Sequence, residues 1–280
     1  MASTQIAQNI AFVNWTVLTG LAVGSYGAVV LLRRRSSATG GYLGFLAACA
    51  LAFGLLAWLS DGSLPSTLVD SPVTNDPAWA APRGTALLVF TLLVGLGLIV
   101  RRVRPAAGAW VELAALLAGV AVLVFGARSW GGTTALGLIG LLVQFVVIAA
   151  SAGGVFAAMI LGHWYLVTPK LPEAPLIRLS RGLLAVIALQ IVLFWIWVAT
   201  DAGPAAGAPF SALSGQWALF VWLRLIVGLI FPLVVSWAAV QTAKTRSMES
   251  ATGLHYINVG TILAGTIVAA GLYFGAGLLV

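Results

Sequence analysis

The sequence has very few charged residues and almost none of the residues that usually bind metals. Only 8% of its 280 residues are charged, whereas 61% are hydrophobic. It has two histidines and one cysteine, Cys49, so an intrachain disulfide and a cysteine metal site are excluded, and no Cys-x-x-Cys-His segment could attach a haem covalently. A water-soluble domain needs more polar surface than this composition provides. The chain is therefore predicted to be an integral membrane protein.

Several functional motifs are also missing. There is no Walker motif, no His-x-x-x-His, no acidic metal cluster and no pair of carboxylates inside an apolar segment. Both lysines, Lys170 and Lys244, lie between apolar segments, so a retinal Schiff base in mid-membrane is excluded.

The basic residues that are present cluster between the apolar segments. The chain has 14 Lys and Arg against 7 Asp and Glu, a net charge of +7. All but three of the basic residues fall into four groups: Arg33–Arg35, Arg101–Arg104, Lys170–Arg181 and Lys244–Arg246. The aspartates lie in the alternate connections: Asp61, Asp70, Asp76 and Asp201. Basic loops remain on the cytoplasmic side of a membrane, so we expect a bacterial inner-membrane protein with both termini outside, and no nucleic-acid partner.

Apolar segments of about 20 residues are long enough to cross a bilayer, and the sequence contains eight. The predicted fold is an all-α polytopic transmembrane bundle forming a single membrane domain over residues 1–280. All prolines except Pro232 fall in the connections, and Pro232 predicts a kink in the seventh helix. The connection 61–83 is expected to pack across the outer face. The predicted helices are 9–32, 41–60, 85–100 (with a start nearer Ala80), 108–127, 134–167, 177–200, 216–243 and 254–279.

Two segments resemble each other and indicate an internal repeat. Residues 13–28 and 143–158 align without gaps, and both run from outside to inside. One interpretation is a parallel duplication of four helices, 1–130 and 131–280; the other is that apolar helices with small-residue stripes look alike. Both interpretations predict close helix packing at the same small residues, Gly20, Gly24 and Gly153–Gly154.

The two histidines are the main candidates for chemistry. His163 lies just before the inner end of the fifth helix, and His255 lies just after the inner start of the eighth, so the imidazoles are expected to point into the bundle at similar depth. Two such imidazoles could ligate the iron of a b-type haem. A quinone headgroup is equally compatible, with Tyr165 and Tyr256 as neighbouring donors. The alternative is that these residues form only an interfacial anchor.

Arg224 and Glu112 are the other candidate site residues. Arg224 lies about eight residues into the seventh helix, and a charged side chain at that depth is either functional or snorkels to the interface. Asp201 and an anionic ligand are its expected partners. Glu112 lies near the inner end of the fourth helix, where it either relays protons to a quinol site or sits among the headgroups.

The sequence favours a membrane subunit of a respiratory or redox complex that binds quinone, b-type haem or both. The segment FVNWTVLTGLAVG, residues 12–24, resembles the first helix of quinol-oxidising anchor subunits of the polysulfide and dimethyl-sulfoxide reductase type, which also have eight helices. No connection is long enough for a folded domain, so other membrane or peripheral redox subunits are expected as partners besides the lipid bilayer. The alternatives are a small-solute transporter and a structural membrane subunit without a cofactor.

Overall fold

Long apolar helices make up most of the structure, a computed structural model that describes residues 2–168, 170–205 and 207–280. Helix covers 82% of it, and the described residues contain no strand. Within these described residues, eight helical segments are long and apolar enough to cross a membrane, which confirms the predicted number of spans. The helices are α1 Ala2–Gln8, α2 Ile10–Arg35, α3 Gly40–Gly62, α4 Ala80–Val103, α5 Pro105–Trp130, α6 Ala135–Val167, α7 Ala174–Thr200, α8 Ala218–Leu225, α9 Phe231–Lys244 and α10 Met248–Ala276.

The chain forms helices because apolar surroundings leave backbone N–H and C=O groups no other partners. Side-chain caps mark two of the starts: Thr39 Oγ1 accepts from the Tyr42 amide, and Thr134 Oγ1 accepts from the Gly137 amide. Helix α4 begins at Ala80, as expected from the sequence.

The seventh span consists of α8 and α9 joined by a π turn, Ile226–Ile230. Pro232 lies at the start of α9 and has no N–H to donate to the Gly228 carbonyl one turn earlier. The wider turn accommodates the proline, so the irregularity predicted at Pro232 is located just before it.

Contacts between helix ends define two ends of the bundle. At the one we call the basic end, Arg33 pairs with Glu112, and Arg178 contacts the Arg35 carbonyl. At the opposite end, the connection 63–76 packs on the bundle as predicted: the Asn9 side chain exchanges two hydrogen bonds with the Val69 backbone, at 2.9 and 3.1 Å. Arg246 lies 3.8 Å from Glu173 in the connection that carries the third basic cluster, so the four basic clusters border connections at one end.

Each half of the chain has the same pattern of helix contacts. In the first half, α2 contacts α3 and α5, and α4 contacts α3 and α5. In the second half, α6 contacts α7 and α10, and α9 contacts α7 and α10. The halves meet where α2 crosses α6, with Gly24 against the Ala149 carbonyl and Gly153 against the backbone of Gly24. This close crossing matches the expectation for these glycines, whereas the duplication itself stays a prediction.

Candidate functional site

A cavity of about 520 Å³ lies between α2, α3, α4 and α5 at the basic end. It combines apolar walls with titratable groups, as small-molecule sites usually do. Its lining consists of Tyr26, Arg33, Gly40, Gly41, Gly44, Phe45, Ala47, Val94, Gly97, Leu98, Arg101, Arg102, Pro105 and Glu112.

Helix α2 supplies two polar side chains to this cavity. Tyr26 and Arg33 are seven residues apart, so they lie on the same face of the helix. The Tyr26 side chain is 1% exposed, and its hydroxyl has no hydrogen-bond partner among the described residues. A buried hydroxyl without a partner is unfavourable by about 1–3 kcal/mol. Tyr26 therefore lies in the cavity wall with a hydroxyl group that makes no hydrogen bond to any described residue.

Glu112 and Arg33 form an ion pair in the cavity wall. Arg33 Nε lies 2.9 Å from Glu112 Oε1, and the glutamate side chain is 8% exposed. Glu112 is thus held in the protein rather than among lipid headgroups, because α5 turns this residue towards α2. The Glu112 carboxyl group therefore faces a guanidinium in a wall that Tyr26 also lines.

The remaining polar lining gives the cavity a positive balance. Arg101 and Arg102 join Arg33, so three arginines face one glutamate. The N-terminus of α3 adds partial positive charge, and a Cβ atom at Gly40 or Gly44 would meet nothing within 4 Å. Small residues at these positions keep the space open for a ligand with electron-rich oxygens.

The histidines are not arranged as the sequence predicted. His255 is fully buried, and its Nε2 lies 2.8 Å from Ser180 Oγ on α7. His163, in contrast, is exposed on the surface of α6, so the expectation that both rings face the interior is wrong for His163. The reason is rotational: Gly162 packs against Thr252 and Tyr165 is buried, so the residue after Gly162, about 100° further round the helix, points outward. The pair does not fit joint ligation of a haem iron.

The two tyrosines next to the histidines also separate. Tyr165 is 2% exposed and donates a 2.5 Å hydrogen bond to the Pro172 carbonyl, whereas Tyr256 is 50% exposed. No hydrogen bond or ion pair joins two of the six predicted site residues. The described residues also contain no group of three or more His, Cys, Asp or Glu side chains that could hold a metal ion.

Arg224 is buried inside the protein and does not snorkel. It is 2% exposed, and it donates to Gln190 Oε1 at 2.6 Å and to the Gly228 carbonyl at 3.4 Å. The expected pairing with Asp201 is not formed. One face of α10 that carries several polar residues is turned into the bundle: Thr252, His255, Asn258, Ile262 and Thr266 are all buried.

A second buried arginine lies at the opposite end, near the start of α4. Arg83 Nε is 2.6 Å from Asp61 Oδ1, and its Nη1 donates to Ser129 Oγ at 2.7 Å. Its guanidinium also lies 4.5 Å from the Trp130 ring centroid. This cluster ties α3, α4 and α5 together and satisfies each charge internally.

The sequence interpretation missed Tyr26 and Arg33 as site residues. Arg33 belongs to a basic cluster, and the positive-inside rule alone accounts for a basic residue there. Its spacing of seven residues from Tyr26, however, places both side chains on one face of the helix. Its pairing with Glu112 depends on how α2 packs on α5, which no local pattern shows. Comparisons of the chain with protein-family models, curated proteins and solved structures find no match.

Proposed function

We propose that this chain is a membrane subunit of a redox complex that binds a quinone headgroup in the cavity beside Tyr26, Arg33 and Glu112. The observation that carries the proposal is that Tyr26, whose buried hydroxyl has no partner among the described residues, lines the same cavity as the Glu112–Arg33 pair. A quinone carbonyl oxygen is an acceptor for that hydroxyl, and the ring suits the apolar wall formed by Val94 and Leu98.

The charged pair supports proton exchange at this position. Reduction of a quinone by two electrons requires two protons, and oxidation of the quinol releases them. The Glu112 carboxyl group can accept or deliver such a proton, and its ion pair with Arg33 holds it in the cavity wall. The proposal places the redox centre that exchanges the electrons with the quinone in a partner subunit.

Topology supports the same assignment. The cavity lies at the end that carries the basic clusters, which the positive-inside rule assigns to the cytoplasm. Protons would then be exchanged with the cytoplasmic side of a bacterial inner membrane. Haem b is not part of the proposal, because His163 and His255 face different surroundings.

Binding of short-chain benzoquinone and naphthoquinone analogues to the protein in nanodiscs tests the proposal. Tyr26→Phe removes one donor without breaking a protein hydrogen bond, so the fold should be unaffected. One hydrogen bond contributes about 0.5–1.5 kcal/mol, so affinity should fall about two- to twelvefold. The matched control is Tyr256→Phe, which alters an exposed tyrosine outside the cavity.

A second variant fills the cavity. Gly44→Leu adds a side chain where a Cβ meets nothing within 4 Å, and it should abolish quinone binding. Gly260→Leu makes the same change on α10, also without a Cβ contact within 4 Å, and should bind as wild type. Failure of the wild type to bind either analogue, or full binding by both cavity variants, would refute the proposal.

A solute transporter is the second candidate function. It is favoured by the π turn beside a buried arginine and by the matching contact pattern of the two halves, because interrupted helices and repeats are typical of transporter sites. Against it, the Tyr26 cavity is not lined by Arg224. Solute uptake by proteoliposomes that depends on Arg224, without quinone binding, would favour this function.

A further inference from the structure

A second hollow, which we call the lateral crevice, opens between α2, α5, α6 and α7. Its volume is about 420 Å³, and it shares no lining residue with the Tyr26 cavity. Leu31, Val120 and Val146 line it and are 57%, 45% and 46% exposed. The crevice is therefore open to the surface that faces lipid when the helices span a bilayer.

Small residues on several helices create this space. Gly27 and Ala28 on α2 face Ala150 on α6 and Gly182 on α7. A Cβ at Gly182 would meet nothing within 4 Å, so the hollow there is not filled by any neighbour. Apolar walls around an open groove favour an apolar chain as occupant.

The length of the crevice corresponds to one leaflet. On α2 its lining runs from Arg35 at the basic end to Val23, which at about 1.5 Å per residue is about 18 Å. The hydrocarbon core of a bilayer is about 30 Å thick, so one leaflet contributes about 15 Å. An acyl chain that entered beside Arg35 would end near the middle of the membrane.

Positive charge marks only the basic end of the crevice. Arg35 and Arg178 line it there, and a guanidinium nitrogen of Arg178 donates to the Arg35 backbone carbonyl. Both arginines are exposed, and no acidic residue is part of the lining. Two arginines at the interface without a carboxylate are complementary to a phosphate group.

We propose that the lateral crevice is a binding site for an acidic phospholipid of the leaflet at the basic end. One acyl chain lies along the small residues of α2, α6 and α7, and the phosphate contacts Arg35 and Arg178. Basic pockets between transmembrane helices on the cytoplasmic side are suited to acidic lipid headgroups. This site is independent of quinone binding, because the two cavities have separate linings.

Native mass spectrometry of the purified protein, titrated with dioleoyl phosphatidylglycerol or dioleoyl phosphatidylcholine, tests the proposal. The two lipids have the same chains and differ in net headgroup charge. The wild type should bind the acidic lipid more tightly, and Arg178→Gln should weaken that binding about fivefold. Binding of phosphatidylcholine should weaken less, because the choline cation offsets the charge of its phosphate, so the preference for the acidic lipid should shrink. Equal affinity of the wild type for the two lipids would overturn the proposal.

A filling variant tests the position of the acyl chain. Gly182→Leu should reduce bound phosphatidylglycerol at least about tenfold, because the new side chain occupies the groove. Gly260→Leu is the matched control, since it also adds leucine at an open helical glycine, and it should bind normally. Thermal unfolding without added lipid shows that both variants are folded. Undiminished lipid binding by folded Gly182→Leu would place the lipid elsewhere and refute the site.

Discussion

Arg224 Nη2 donates a 2.6 Å hydrogen bond to Gln190 Oε1, and both side chains are buried. Among the described residues this guanidinium has one other acceptor, the Gly228 carbonyl, which Pro232 leaves without its usual helical donor. Gly228 also packs directly on Gly265 of α10, where a Cβ would lie 2.7 Å from the Gly265 Cα. The proline and the arginine are thus parts of one arrangement: Pro232 leaves the Gly228 carbonyl without its usual donor, and Arg224 donates to that carbonyl.

We predict that Gln190→Leu destabilises the protein. It removes the shorter of the two hydrogen bonds of a buried cation, and a bond to a charged group contributes about 1.5–3 kcal/mol. Reversible unfolding in detergent micelles measures the change. The control is Gln241→Leu. The Gln241 side chain accepts a hydrogen bond from the exposed Lys244, and removing that bond should lower stability only slightly.

The double variant Arg224→Met/Gln190→Leu should be more stable than Gln190→Leu alone. Removing both partners leaves neither a buried charge nor an unpaired amide, and apolar replacements of buried polar pairs are often neutral. A double-mutant cycle gives the coupling energy directly. Purely additive losses would show that Arg224 does not depend on Gln190.

The fold could be predicted from the sequence to a greater extent than the site. Apolar length and proline position predict spans because lipid leaves unpaired backbone groups no partner. They fix depth along a helix but not which way a side chain points. His163 and His255 are comparable in depth, yet Gly162 packing turns His163 outward while His255 contacts Ser180. Arg33 is a second example: its place in a basic cluster is sufficient to predict topology but not its ion pair with Glu112, which depends on how the helices pack.

The crossing of α2 and α6 predicts a severe effect of a small substitution. A Cβ at Gly153 would overlap the backbone of Gly24 and Ser25, so Gly153→Ala must push the helices apart. We expect a loss of more than about 2 kcal/mol in unfolding free energy, as for overpacked interiors. The control Gly253→Ala, whose Cβ meets nothing within 4 Å, should be neutral or slightly stabilising. Equal stability of the two variants would contradict the close crossing.

Asp61→Asn should destabilise the opposite end strongly. It leaves Arg83, which is 4% exposed, as a buried cation without its carboxylate, at an expected loss of about 3–5 kcal/mol. Glu173→Gln is the comparison: it breaks the 3.8 Å pair with Arg246, which is 61% exposed, and should change stability by less than about 1 kcal/mol. The measurement is the unfolding midpoint of each variant in the same detergent. Similar losses of stability in the two variants would show that burial of the Arg83–Asp61 pair does not increase its contribution to stability.

The orientation of the bundle in the membrane can be tested with three single cysteines. In a Cys49→Ser background, Ser66→Cys and Ser211→Cys lie in connections at the end opposite the basic clusters, and Ser37→Cys lies beside Arg35; all three serines are exposed. Because arginine-rich connections stay in the cytoplasm, an impermeant thiol reagent should label the first two in intact cells and the third only after permeabilisation. Labelling of the cysteine at 37 but of neither of the others would invert the topology. It would also move the Tyr26 cavity and the lateral crevice to the outer side, where proton exchange with the cytoplasm and binding of inner-leaflet lipid could not occur.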